Sequence, residues 1–312
     1  MGILNSLSEC KTSGVVYDFF KERSDDFGSV NIINTPFKSK NSTKTESDNS
    51  YSFLQLQNES KKQCIERIFN IKIDFPDNKI DHRITTIHSS ALAAMLCFNN
   101  ISKENPLKVE LNNKEYTFTK FEPEYCNKCT ADGGPSKIDV ALFNDDDYIA
   151  FFLEAKFSEY LKSESKTISS QYKKDEIGGK LFKNHNILPK VLYFSNLIEN
   201  EPMKILSKQG GKGRYREGIK QMLCHYIGAT EFLKKYPEYK KVFIGTLLFD
   251  FGKETKAALI DYSDMYKELA ENLNALSEGK IELVNNVVTY QNLFDKNNRC
   301  ILSSKVKCFY NL

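Results

Sequence analysis

The sequence predicts an α/β domain: a central mixed sheet flanked by helices on both faces. Three observations carry this. Apolar residues recur at helical spacing over 51–70 and again over 84–99. The period then drops to two in consecutive hairpin patterns between 107 and 157. After that, strand-like and helix-like stretches alternate towards the end of the chain.

At 312 residues the chain can bury one large core without disulfide or metal staples. Hydrophobic residues make up 40% and charged residues 27%, the balance of a soluble globular protein. No apolar run approaches the roughly 18 residues of a membrane span. No secretory signal pattern opens the sequence, and eight cysteines are scattered without a framework. A cytoplasmic protein with mostly reduced thiols is therefore expected, with no membrane partner.

The elements follow in order. A short helix is expected within 1–24 around "GVVYDFF". Residues 25–50 are polar and aperiodic and read as a loop, so 1–50 is taken as an N-terminal arm and 51–312 as the main domain. Phe53, Leu56, Cys64, Ile65 and Ile68 support a first helix over 51–70. "ITTIHSSALAAMLCFNN" is apolar on most sides and reads as a buried second helix. "LKVEL-NNK-EYTFTKFE" reads as a hairpin turning at Asn112–Lys114. "SKIDVALF-NDDD-YIAFFLEAKF" is a second, stronger hairpin. A strand is expected at "KVLYFSNL", a helix at 215–235 and a buried strand at "KVFIGTLLFDF". "YSDMYKELAENLNALSEG" reads as a helix capped by Ser263, and "IELVNNVVTYQNLF" as strand into short helix.

The second hairpin poses the chemical question, because "YIAFFLEAKF" places Glu154 and Lys156 inside an apolar strand. Residues i and i+2 share a face, so both charges lie with Ala150 and Phe152. A turn centred on Asp146–Asp147 sets Asp139 directly across from Glu154, at a Cβ separation of about 5 Å. Opposed carboxylates repel, and a divalent cation or a shared proton relieves them. Two hard oxygen ligands suit Mg²⁺, which retains waters and takes phosphate oxygens. Lys156 can position an attacking water. This is the outline of metal-assisted phosphodiester hydrolysis. The alternative is a surface Glu–Lys ion pair on a half-exposed strand.

Asp139 followed by Glu154-Ala155-Lys156 in an apolar strand resembles the PD-(D/E)XK nuclease superfamily, whose fold is restriction-endonuclease-like. The resemblance covers roughly 85–250, and "TYQNLF" is similar to the close of some members. It departs at Ile138, where the family has Pro. It implies a Mg²⁺- or Mn²⁺-dependent nuclease acting on nucleic acid, DNA first, and it allows a homodimer. Asp139 and Glu154 would bind metal, and Lys156 would act on the attacking water. Glu59 or Glu66 would stand for the upstream helical acid, Glu59 as a metal ligand. The family's Q-x-x-x-Y helix motif is matched loosely by Gln221 and Tyr226, and Gln221 would assist catalysis.

Other residues are candidates for substrate contact. Glu217, Lys220, Gln221 and His225 share one face of a helix. Arg214 and Arg216 belong to "KQGGKGRYREGIK", a basic stretch that reads either as a nucleic-acid contact or as a solvated loop. His88, Ser89 and Ser90 open the second helix, as phosphate contacts or as caps. Cys126 and Cys129 have zinc-knuckle spacing, but no second CxxC or HxxxH exists and only Cys224 with His225 could complete a site, so free thiols or a disulfide stand beside zinc. A binding module of the same fold, silent in catalysis, is the alternative function.

Overall fold

The computed structural model describes residues 19, 32–36, 49–53, 55–76, 79–81, 84–85, 89–127, 136–161, 163–164, 215–216, 219–253, 255–275, 279–295 and 298–312. It is an α/β structure around a mixed sheet. The elements are β1 (Ile32–Pro36), β2 (Asn49–Phe53), α1 (Lys61–Phe69), α2 (Ser90–Phe98), β3 (Leu107–Leu111), β4 (Lys114–Phe118) and β5 (Lys120–Asn127). Next come β6 (Ser136–Asn144), β7 (Ile149–Lys156), β8 (Ser163–Glu164), β9 (Tyr215–Arg216), α3 (Ile219–Lys235) and β10 (Lys241–Leu248). The chain closes with α4 (Lys256–Asn274), β11 (Ile281–Leu283), β12 (Val288–Thr289), α5 (Tyr290–Leu293) and α6 (Ser304–Tyr310).

The main sheet runs β11-β10-β7-β6-β5, with β12 also on β10. β5, β6 and β7 are antiparallel neighbours, whereas β10 pairs in parallel with β7, β11 and β12. β7 and β10 are the central pair. Each is buried from its second residue onward, which is why both read as unbroken apolar runs. The β6–β7 turn spans Asp145–Tyr148 and is held by Asn144, whose side chain donates to Thr117 O and accepts from Asp147 N–H. That turn fixes the expected register, with Val140 opposite Leu153.

Helices cover both faces. Phe121 lies across from Leu142 and Leu142 across from Phe151, so the three share a face. α2 covers it, with Phe98 tilted on Phe121 at 5.6 Å. On the opposite face Phe152 packs edge-on against Phe232 of α3 at 5.2 Å. α4 lies beside α3, and its Tyr262 hydroxyl donates to Thr246 of β10.

Several boundaries differ from the sequence reading. Residues 51–53 are strand, not helix: Phe53 pairs with Ile32, which also places a hairpin inside the expected 25–50 loop. α1 starts only at Lys61, where Ser60 and Gln63 form a capping box. Leu56, which matched the helical period, is 55% exposed. α2 starts at Ser90 because the Ser89 side chain accepts from Leu92 N–H. The first hairpin turns on Asn112 and Asn113 alone, both at positive φ, the two-residue turn that suits strand twist. Ser263 is not a cap; it lies inside α4 and donates to Leu259 O. α6, capped by Ser303 and burying Phe309 and Tyr310, has no counterpart in the sequence reading. The expected strand "KVLYFSNL" and, apart from Phe19, the expected N-terminal helix lie outside the described residues. No helix among the described residues is long and apolar enough to cross a membrane.

At Gly245 the absent side chain makes room for its neighbours. A Cβ there would lie 3.0 Å from the Phe151 ring, 3.0 Å from a Val284 methyl and 3.1 Å from Leu153. All three are buried in a close-packed core and would have to shift to admit a side chain. We expect Gly245→Val to destabilise the fold by about 2–3 kcal/mol through overpacking. Urea denaturation, read as a lower midpoint at unchanged slope, checks it.

Candidate active site

The site begins where the β6 ladder opens. Backbone pairing of β6 with β7 ends at Val140–Leu153, one step short of Asp139 and Glu154. In its place the Asp139 side chain accepts the Ala155 N–H at 2.8 Å. The ladder also breaks on the β5 side. Pro123 pairs with Val140 and Tyr125 with Ile138, while Glu124, across from Asp139, has φ +48°. A left-handed glutamate inside a strand is a strained placement. Asp139 is thus a half-buried carboxylate on a stretch whose backbone partners have been drawn aside.

Glu154 and Lys156 are 2% and 6% exposed, so the half-exposed strand considered above is excluded. Their side chains form an ion pair, Oε1 to Nζ, at 2.5 Å. The second carboxylate oxygen, Oε2, lies 2.5 Å from Nε2 of His225, which is 1% exposed. Thr246 stands beside Glu154 on β10; its hydroxyl donates to the Met222 sulfur and accepts from Tyr262. Just beyond β7, Glu159 accepts the Phe157 and Ser158 N–H groups and fixes the turn that follows Lys156.

The two carboxylates titrate in opposite directions. Burial and the negative charge of Glu154 push Asp139 well above the ordinary carboxylate range. Burial acts on Glu154 in the same sense, but the Lys156 charge and the His225 hydrogen bond outweigh it and hold Glu154 at about 2. Burial likewise works against the Lys156 ammonium, yet Glu154, Asp139 and Glu159 raise it above the ordinary lysine value. Without a cation, Glu154 and Lys156 are therefore both charged, and Asp139 is the group whose charged form the site disfavours.

The structure brings together Asp139, Glu154, Lys156 and His225. His225 faces Glu154 from the buried side of α3, not outward among polar neighbours. It belongs to the stripe Met222, His225, Ala229 and Phe232, all nearly inaccessible. That spacing of three, four and three is the signal the sequence offered, and it was masked by the histidine's polarity. Gln221 is half-buried one turn earlier. Lys220 lies in α3 and Arg216 in β9, paired to Ser163, while Arg214, His88 and Cys129 fall outside the described residues. Ser90 is buried at the start of α2, on the helix that covers the Phe151 face. Glu59 has a different occupation from the expected one: both its oxygens bind Arg67, and one also accepts the Leu56 N–H, tying it to the entry of α1. The Arg67 hydrogen bond holds its carboxyl at about 2. Glu124 had no sequence signal, since only its register and backbone twist set it beside Asp139.

Chemically, two carboxylates stand next to a buried ammonium. Among the described residues no group of three or more His, Cys, Asp or Glu side chains surrounds a common point. No protein-family model, curated protein or solved structure matches this chain.

The opposed shifts have opposed consequences for stability. Glu154, lowered from 4.5 to about 2, contributes stability that is complete above pH 4.5 and lost as pH falls through 2. Asp139, raised from 3.8, favours the fold below that value and loses the contribution as pH rises through its folded value. At pH 7 in EDTA, Asp139→Asn should therefore stabilise the protein by about 1–2 kcal/mol. Glu154→Gln, which strands Lys156 without its counter-charge, should cost about 3–5 kcal/mol. Thermal melts of the two variants beside wild type check both signs.

Proposed function

We propose that this chain is a divalent-metal-dependent nuclease that hydrolyses phosphodiester bonds in DNA, on a restriction-endonuclease-like version of its α/β fold. One observation carries the reading: a buried Glu154–Lys156 pair sits beside Asp139 where the β6 ladder opens. Stability does not explain it, since apolar residues at such positions are usually as stable or more so.

The donor set fits Mg²⁺ or Mn²⁺. Asp139 and Glu154 offer carboxylate oxygens, and a hard cation that keeps waters needs few side-chain ligands. Burial and the charge of Glu154 disfavour the Asp139 carboxylate, and a cation would relieve that conflict. When bound, such a cation polarises a phosphoryl oxygen and offsets the charge developing there. Lys156 remains an ammonium and has no lone pair, so it acts as a donor that orients the attacking water, not as the base. As the water oxygen bonds to phosphorus, the P–O bond to the departing sugar oxygen breaks; that oxygen takes a proton from solvent, and the water's proton leaves to solvent or to a phosphate oxygen. The excess positive charge between Lys204 and Lys220 in the sequence suits a polyanionic partner.

A second reading, a silent nucleic-acid-binding module, is favoured by one specific observation: both Glu154 oxygens already have partners. Cleavage separates the two. Supercoiled and linear plasmid should be cut with Mg²⁺ or Mn²⁺ by wild type, and Lys156→Met, which keeps the buried alkyl chain, should not cut. Equal cutting by the variant removes Lys156 from the mechanism. No cutting by either protein, with no Mn²⁺ binding by calorimetry, establishes the silent module instead; binding without cutting points to a different substrate.

A further inference from the structure

We propose that His225 is a positioning residue of the cation site: it orients Glu154 through a donated Nε2–H bond and does not itself ligate metal. This rests on the metal-dependent reading above.

The direction of the bond follows from the ion pair. Glu154 faces the Lys156 ammonium at 2.5 Å, and a carboxylate so paired only accepts. At 2.5 Å the histidine nitrogen facing Oε2 must therefore carry the proton. A nitrogen occupied in this way has no lone pair for a cation. The carboxylate keeps one: each oxygen can accept twice, so Oε1 and Oε2 each retain capacity beyond Lys156 and His225.

The need for a second donor follows from geometry. The terminal torsion of a glutamate is broad and roughly two-fold, so one partner does not fix its plane. Lys156 lies two residues away on the same strand and reaches Oε1 through a long, flexible chain. His225 comes from a different element, 71 residues on, and brings a rigid ring. The ring is 1% exposed and belongs to the buried stripe of α3 that also carries Met222, Ala229 and Phe232. A histidine kept merely for packing could bond to backbone; this one bonds to the carboxylate that would hold the cation. Outer partners of this kind align a ligand before the cation arrives.

Two variants test it in the full chain. His225→Gln retains an N–H at nearly the same reach, and His225→Leu keeps bulk without a donor. Mn²⁺ affinity is read by calorimetry and by electron paramagnetic resonance. His225→Leu should bind Mn²⁺ about 10–100-fold more weakly than wild type, and His225→Gln should recover most of that loss. Equal affinity in His225→Leu overturns the proposal, as does a loss in His225→Gln as large as that in His225→Leu. Imidazole ¹⁵N spectra of wild type give a test that does not depend on the leucine variant folding. The His225 signal, assigned by its disappearance in His225→Gln, should show a protonated Nε2 both before and after Mg²⁺ is added. Loss of that proton on adding Mg²⁺ would make His225 a ligand and defeat the idea. If wild type binds no Mn²⁺, the metal-dependent reading itself falls and takes this role with it; wild-type binding that is unchanged in His225→Leu removes the positioning role alone.

Discussion

A single carboxylate without access to water governs this structure. Glu154 sits on the central strand of the sheet, with helices above and below. An ion in that position is strongly penalised unless partners replace its lost hydration. Lys156 supplies a charge and His225 a directed hydrogen bond, one on each oxygen. The requirement spreads outward. α3 must present a polar ring on its otherwise apolar inner face, and β10 must offer Thr246 beside the carboxylate, with the hydroxyl of Tyr262 behind it. Elements that look like generic sheet covering are set by one ion.

Asp139 shows how differently a similar group behaves a few ångströms away in the fold. It has the same chemistry, but no cation of its own at hydrogen-bond distance among its described contacts, only the Ala155 N–H. Its neighbour's negative charge adds to the burial penalty. The pair therefore resolves into one permanent anion and one reluctant acid. The backbone around Asp139 reflects this tension: it is unpaired towards β7 at that step, and faces a left-handed Glu124 on β5. Local rules are broken here and obeyed around it, the pattern expected where a sequence serves something other than stability.

Much of this was legible in the sequence, for physical reasons. Hairpin register follows from turn length and the two-residue period, so Val140 could be set opposite Leu153 from spacing alone, with Asp139 and Glu154 one step beyond the last ladder pair. Charges inside an apolar strand could be recognised because a buried strand has no solvent face to hide them on. Less legible features depend on competition between signals. The first helix was extended over Phe53 and Leu56 because they match its period by chance; the Ser60 cap, a local hydrogen bond, sets the true start. On α3, the polar residues Glu217, Lys220, Gln221 and His225 suggest one polar face, although Met222, Ala229 and Phe232 mark the side of His225 as buried. Glu124 was beyond reach, since nothing in composition marks a glutamate that adopts a left-handed backbone.

The parallel pairing of β7 with β10 has a consequence for how the protein is made. The β6–β7 hairpin is local and leaves the ribosome before β10 does. Its parallel partner and the histidine that bonds to Glu154 are encoded far downstream, 71 residues in the case of His225. Long-range parallel closure is slow relative to hairpin formation. During synthesis there is thus an interval in which Phe151, Phe152 and Leu153 lack their covering strand and Glu154 lacks one of its donors. A nascent chain in that state is exposed to aggregation. It also lacks a completed reaction centre, so any activity the site supports is withheld until β10 has been translated and docked.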